Sequence, residues 1–270
     1  LNLTYGKLPA SPSNAPKLSD LFEISKLPEL PAGDFGHEEG ITFPNLGNDY
    51  AGDCVWAGGS SEELVWSHEM GHWITVNAAS AIRNYTECTG YNPNAPLVNG
   101  VNPTDKGTDM GVAAEFRKTE GLWDADNRRH LISDYVQLEP GNIEQLWYAM
   151  WIFDGVGLGW NFFQQWEDQL RQGSRVLGQV TDLTSAGGHY TPGFGRRNGN
   201  ISTPSWQMLL QVTPAGYEQS NDETFAYMTK EKVLPDGKTL TGLDYAQWRA
   251  EFALVHGLTF AQAHGLTGQN

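Results

Sequence analysis

Asn45-Leu-Gly-Asn-Asp-Tyr-Ala-Gly-Asp-Cys54 ends on a cysteine that opens the first long periodic stretch of the chain. From Cys54 onward, Ala57, Ser61, Leu64, Val65 and His68 recur mostly at three- and four-residue steps, so a helix is expected from Asp53 to about His72, with Asp53 as its N-cap. The partial positive charge and free N–H groups of a helix start favour thiolate over thiol. A thiol nucleophile also needs a distant proton acceptor. His189 follows Gly187-Gly188 at the start of an expected strand, a context that lets another segment approach closely and presents the imidazole at a cleft. Asn48 offers a side-chain amide to an oxyanion hole.

The same helix carries a competing string, His68-Glu-Met-Gly-His72. On one helical face His68 and His72 would bind zinc, with Glu69 as general base for a metal-bound water. Catalytic zinc needs a third ligand, yet residue 78, where the extended pattern has histidine, is alanine, which leaves Glu87 or Glu115. Gly71 also weakens the helix by about 1 kcal/mol relative to alanine. On the residues alone both chemistries stay open, beside their plain readings as a small buried thiol, a core histidine and a frayed helix end.

Composition narrows the field. A chain of 270 residues, 39% hydrophobic and 18% charged, is globular rather than disordered or fibrous. With 17 Lys and Arg against 32 Asp and Glu, the net charge of -15 repels phosphate backbones and anionic lipid, so neither nucleic acid nor membrane is an expected partner. Two cysteines, Cys54 and Cys88, are too few for a disulfide framework. The apolar stretch Tyr148 to Trp160 is broken by Asp154 and falls short of the roughly 18–20 residues a membrane span needs. The opening residues lack the basic-then-apolar pattern of a signal peptide. Glycosylation tripeptides begin at Asn2, Asn84 and Asn200.

Prolines spread through residues 1–45 suggest an extended arm, taken as residues 1–39. Helices are expected over Asp109–Thr119 and over Ile143–Phe153, where Asn142 and Gln145 form a capping-box-like pair. Strands are expected over Val156–Phe163, Arg175–Thr181, Ile201–Leu210 and Phe225–Met228, with a hairpin turn at Asn198-Gly199. A last helical face runs over Asp244–Val255. Helices first and strands later imply an α+β arrangement around one cleft.

The Asn45–Cys54 stretch resembles the active-site segment of papain-like cysteine-peptidase-fold proteins of tailed bacteriophages and prophages, which carry a GND..GDC pattern. Thr89-Gly-Tyr-Asn-Pro93, Asp109 with Phe116–Gly121, Ile143–Trp160, Gly187-Gly-His189, Ser205-Trp206 and Gly242-Leu-Asp244 match in the same order. The resemblance covers about residues 40–257 and leaves a tail at 258–270. It implies a papain-like fold in which the cysteine-bearing helix packs against a small antiparallel sheet bearing the histidine. Cys54 then matches the nucleophile, His189 the general base and Asn48 the oxyanion-hole amide, with no cofactor and no metal at His68, Glu69 or His72. The orienting residue departs from the family, because Pro204 stands where an asparagine is expected and has no side chain to hold an imidazole. Thr203, Ser205 and Gln207 are the substitutes. The resemblance also implies a virion setting with protein partners in a viral particle. Three functions follow: a hydrolase of peptide or isopeptide bonds, a noncatalytic capsid-decorating or tail-associated component whose arm clamps neighbours, and a zinc metallopeptidase.

Overall fold

The computed structural model describes residues 2–21 and 27–250. Helix α2 (Cys54–Glu69), preceded by the short α1 (Leu18–Leu21), is buried on all sides from Cys54 to Ser67 and is a core helix rather than a surface one. It starts at the expected place and stops earlier than expected. Gly71 turns at φ +75, a conformation L residues rarely adopt, and the His72 N–H bends back to the Ser67 carbonyl.

The remaining helices are α3 (Ala78–Thr89), α4 (Met110–Thr119), α5 (Ile143–Ile152), α6 (Gln164–Arg171) and α7 (Pro214–Ser220). Asp109 and Asn142 cap α4 and α5 by accepting from the backbone N–H groups of Val112 and Gln145. Neither α3 nor α6 was expected. The first is rich in small and polar residues and held by a capping box between Asn77 and Ser80, and the second starts directly at the end of a strand.

Strands β1 (Phe35–Gly36), β8 (Gly195–Arg197), β9 (Asn200–Ser205), β10 (Met208–Val212) and β6 (Val176–Leu177) form one sheet in that order. A second, antiparallel sheet has the order β4 (Asp134–Gln137), β11 (Asn221–Met228), β5 (Val156–Phe163), β7 (Ser185–Gly193), and β2 (Leu122–Trp123) pairs with β3 (Arg129–His130). Asn198 and Gly199, both at positive φ, make the expected two-residue hairpin turn. The expected run Ile201–Leu210 is two strands, because Trp206 and Gln207 also take positive φ and fold the chain back. The expected Arg175–Thr181 strand shrinks to β6.

Alternation along β11 sorts the core. Ala226 and Met228 join a cluster around α5, β5 and α6, whereas Phe225 and Tyr227 join one around α2 and α4 with Tyr190 of β7. The four-stranded sheet therefore stands between two apolar clusters. Helix α2 reaches β7 because Gly58 has no side chain: a Cβ there would lie 2.3 Å from the Tyr190 ring.

The proline-rich arm packs on its own chain. Lys7 bridges Thr108, Lys17 bridges Gln137 and β1 pairs with β8. This contact counts against the arm as a clamp on neighbours. Asn84 of the second glycosylation tripeptide is buried and bonded to the Trp123 backbone. Residues 245–250 are helical, and the rest of the expected closing helix and the tail lie outside the described residues. Among the described residues no helix is long and apolar enough to cross a membrane.

Candidate active site

Cys54 is the first residue of α2 and fully buried. Asp53 stands at the N-cap position, but its side chain makes no capping bond, and burial pushes its carboxyl well above the carboxylate range. The helix start also fails to produce a thiolate. Burial pushes the Cys54 thiol up to about 12, against backbone hydrogen bonds from Tyr190 and Gly6 that act the other way. That rise corresponds to on the order of 4 kcal/mol, whereas a helix terminus contributes about 0.3–1 kcal/mol. Desolvation wins.

His189 lies on β7 opposite Trp160 of β5 and is likewise fully buried. Burial pushes its imidazole down to about 3, so the ring is neutral at pH 7. Its Nε2 is 2.8 Å from Ser205 Oγ, and the ring stacks on Trp206 at 4.0 Å and 3°. The turn at Trp206-Gln207 places both groups there. Of the three substitutes for the orienting asparagine, Ser205 meets the imidazole. Thr203 instead reaches Thr191 Oγ1 and the Pro192 carbonyl, and Gln207 is exposed in the turn. Nδ1 of His189 is buried and has no hydrogen-bond partner. Cys54 and Tyr190, the residue after His189, line one cavity, so the strand bearing His189 adjoins the start of α2, although the His189 imidazole and the Cys54 sulfur make no hydrogen bond.

Residues 2–8 run through the crevice between these two elements as a strap. Thr4 Oγ1 lies 2.8 Å from the Asn48 and Ala51 carbonyl oxygens and 3.1 Å from Asn48 Oδ1. The Tyr5 ring meets His189 and Trp206 edge-on. Gly6 fits only as glycine, since a Cβ would lie 1.8 Å from the Gly52 carbonyl oxygen. Beside the strap, Asn48, Cys54, Ser205 and Trp206 line a remaining cavity of about 20 Å³, the size of one water.

The zinc string does not assemble. His68 ends up against Trp73 and His72 is exposed, because the helix closes at Glu69 before His72 can share its face. Glu87 is engaged by Trp123, Arg83 and Arg129, and Glu115 by Tyr135. Glu69 turns instead to His37, 2.5 Å from its Nδ1, with Asp154 also near. Burial lowers the His37 pKa, but the Glu69 bond and the Asp154 charge leave it raised overall. A second buried group joins Arg117 to Glu62 and Glu63, with Tyr190 donating to Glu62 at 2.5 Å. The sequence reading missed both groups, since glutamates inside a helix carry no sign of burial beyond the apolar residues flanking them.

The sequence matches no protein-family model and no curated protein. Solved structures do match. Xylellain, a cysteine protease from Xylella fastidiosa, superposes with a TM-score of 0.60 at 10% identity, over 84% of this chain and 97% of its own. Procathepsin B from Trypanosoma congolense gives 0.57 at 12% identity over 84% and 87%. A cysteine protease of Carica candamarcensis gives 0.54 at 10% over 73% and 98%. The α+β architecture, with Cys54 on a helix packed against the sheet that bears His189, is the papain-like cysteine-protease fold.

Proposed function

We propose that the chain is a papain-like cysteine hydrolase of peptide or isopeptide bonds, held latent by its own strap. The observation that carries this reading is the pinned imidazole: Ser205 holds Nε2, Trp206 holds the ring face, and Nδ1 is left unpartnered on the strand whose next residue shares a cavity with Cys54. A proton on Nε2, donated to Ser205, leaves Nδ1 as the base. With the strap displaced, water relieves the desolvation that keeps both groups neutral, the vacated crevice closes to bring the thiol within hydrogen-bond reach of Nδ1, and the Cys54 proton passes to it. The thiolate attacks the carbonyl carbon, and the Asn48 amide donates to the oxyanion. The imidazolium then protonates the leaving amine, and water cleaves the thioester to return Cys54 and the neutral ring. The cysteine proteases among the structural neighbours support the reaction class. A tailed-phage setting, with partners in a particle, is supported by the ordered sequence matches alone.

Alkylation of Cys54 by iodoacetamide tests this reading in a Cys88→Ser background. The full chain should label slowly at pH 8, because burial pushes the thiol up to about 12. Gly6→Val, which cannot seat against Gly52, should label at least about tenfold faster. It should also gain a peptidase activity that Cys54→Ala abolishes. Labelling that stays slow with the strap expelled, or an activity that survives Cys54→Ala, sinks the assignment.

A further inference from the structure

The strap carries one side chain whose burial needs explaining. Lys7 is fully buried, and its Nζ lies 2.8 Å from Asp222 Oδ2 and 3.1 Å from Glu223 Oε1, both on β11. A lysine loses several kcal/mol of hydration on such burial, and the two carboxylates, together with the Leu8 carbonyl 2.8 Å from Nζ, offset it. The slot is shaped as well as charged. Gly159 of β5 floors it, and a Cβ there would lie 2.3 Å from Lys7 Cε and 2.8 Å from Met110 Sδ. Of the two carboxylates, Glu223 is the buried one. Burial pushes its pKa up to about 7 even though Lys7 acts to lower it.

The backbone around Lys7 is held without reference to side chains. The Gly6 and Lys7 N–H groups both donate to the Gly188 carbonyl, the Leu8 N–H donates to Thr108, and the Thr108 N–H donates to Gly6. Main-chain bonds of this kind cradle an extended chain that carries glycine where Gly6 lies, while the pocket beside them reads the next side chain. The strap also passes the start of α2, where Gly6 packs against Gly52, two residues before Cys54. A chain that follows the strap past Gly52 places the residue after its glycine in this slot, as Lys7 follows Gly6. We propose that the slot formed by Gly159, Met110, Asp222 and Glu223 selects a lysine or arginine side chain in the extended peptide that the cleft binds, and that Lys7 is its internal surrogate. This rests on the hydrolase reading for what happens to the bound chain, but not for the binding itself.

Binding is therefore measured without catalysis, in the full chain carrying Cys54→Ala and Gly6→Val. Fluorescence anisotropy is read with a fluorescein-labelled hexapeptide Ala-Ala-Gly-Lys-Ala-Ala, whose glycine takes the place of Gly6 against Gly52, and with its norleucine-for-lysine counterpart. The lysyl peptide should bind at least about tenfold more tightly, the scale of a charge-assisted hydrogen bond. Adding Glu223→Gln and Asp222→Asn should remove the preference. Equal binding of the two peptides, a preference that survives loss of both carboxylates, or no binding of either peptide overturns the proposal. Preference for lysine in a chain that hydrolyses neither peptide when Cys54 is present leaves this inference standing and defeats the hydrolase. A second measurement covers a Gly6→Val chain that does not fold. In Lys7→Ala, n-butylammonium replaces the missing side chain and should raise the melting temperature above that seen with the same concentration of n-butanol. Equal shifts overturn the proposal.

Discussion

The two chemistries suggested by the sequence stand at opposite ends of helix α2, roughly 22 Å apart by its rise per residue. At the first residue Cys54 is fully buried, and lack of water is the main cause that holds its proton in place. At the last turn Glu69 lies 2.5 Å from His37 Nδ1, with Asp154 3.9 Å from the same nitrogen, and these partners hold the imidazole's charge against its burial. Burial without a charged partner makes a group whose state depends on a cover. Burial with one makes a lock. On the proposed reading the thiol end responds to movement of the strap, whereas the histidine end has its partner within the fold.

Between the ends, Arg117 tests the lock most severely. It lies 2.5 Å from Glu62 and 3.3 Å from Glu63, all three buried. Arg117→Ala leaves two carboxylates without their cation and should cost about 3–5 kcal/mol by denaturant unfolding. A loss below about 1 kcal/mol would show that the middle of the helix is held by packing alone. Next in size is Gly58→Ala, whose new Cβ meets the Tyr190 ring at 2.3 Å and must part α2 from β7. Overpacking of this kind costs about 1–3 kcal/mol. The same change should also speed alkylation of Cys54 by admitting water, and unchanged labelling would mean that the strap, not the helix–strand contact, is the whole seal.

The thiol end was far more legible in the sequence than the histidine end, and the reason is physical. Cys54 and the start of its helix, the caps at Asp109 and Asn142, strand β5 and the Asn198-Gly199 turn all follow from local spacing or backbone preference. What was hidden depends on contacts distant in sequence. Ser205 became the partner of His189 only because Trp206 and Gln207 adopt positive φ, which side chains of their kind do not advertise. The strap read as a proline-rich arm, with nothing in its composition to show that Gly6 would face Gly52 or Lys7 would face Asp222. At the far end the HEMGH string satisfied a helical spacing, and a single glycine at positive φ cancelled it.

The smallest expected effect sharpens the comparison most at that far end. His72 is exposed, beyond the helix end and outside both groups of side chains able to converge on an ion among the described residues, His37–Glu69–Asp154 and Glu63–His130–Glu231. His72→Ala should therefore change stability by no more than about 0.5 kcal/mol, as surface substitutions do. Zinc should shift the melting temperature of the parent and the variant equally. A ligand that binds only the folded state stabilises it by an amount set by its concentration over its dissociation constant, so a true His68–His72 site would betray itself as zinc-dependent stabilisation lost in His72→Ala. That result would require α2 to extend through Gly71 in the presence of metal, and both ends of the helix would then be switchable.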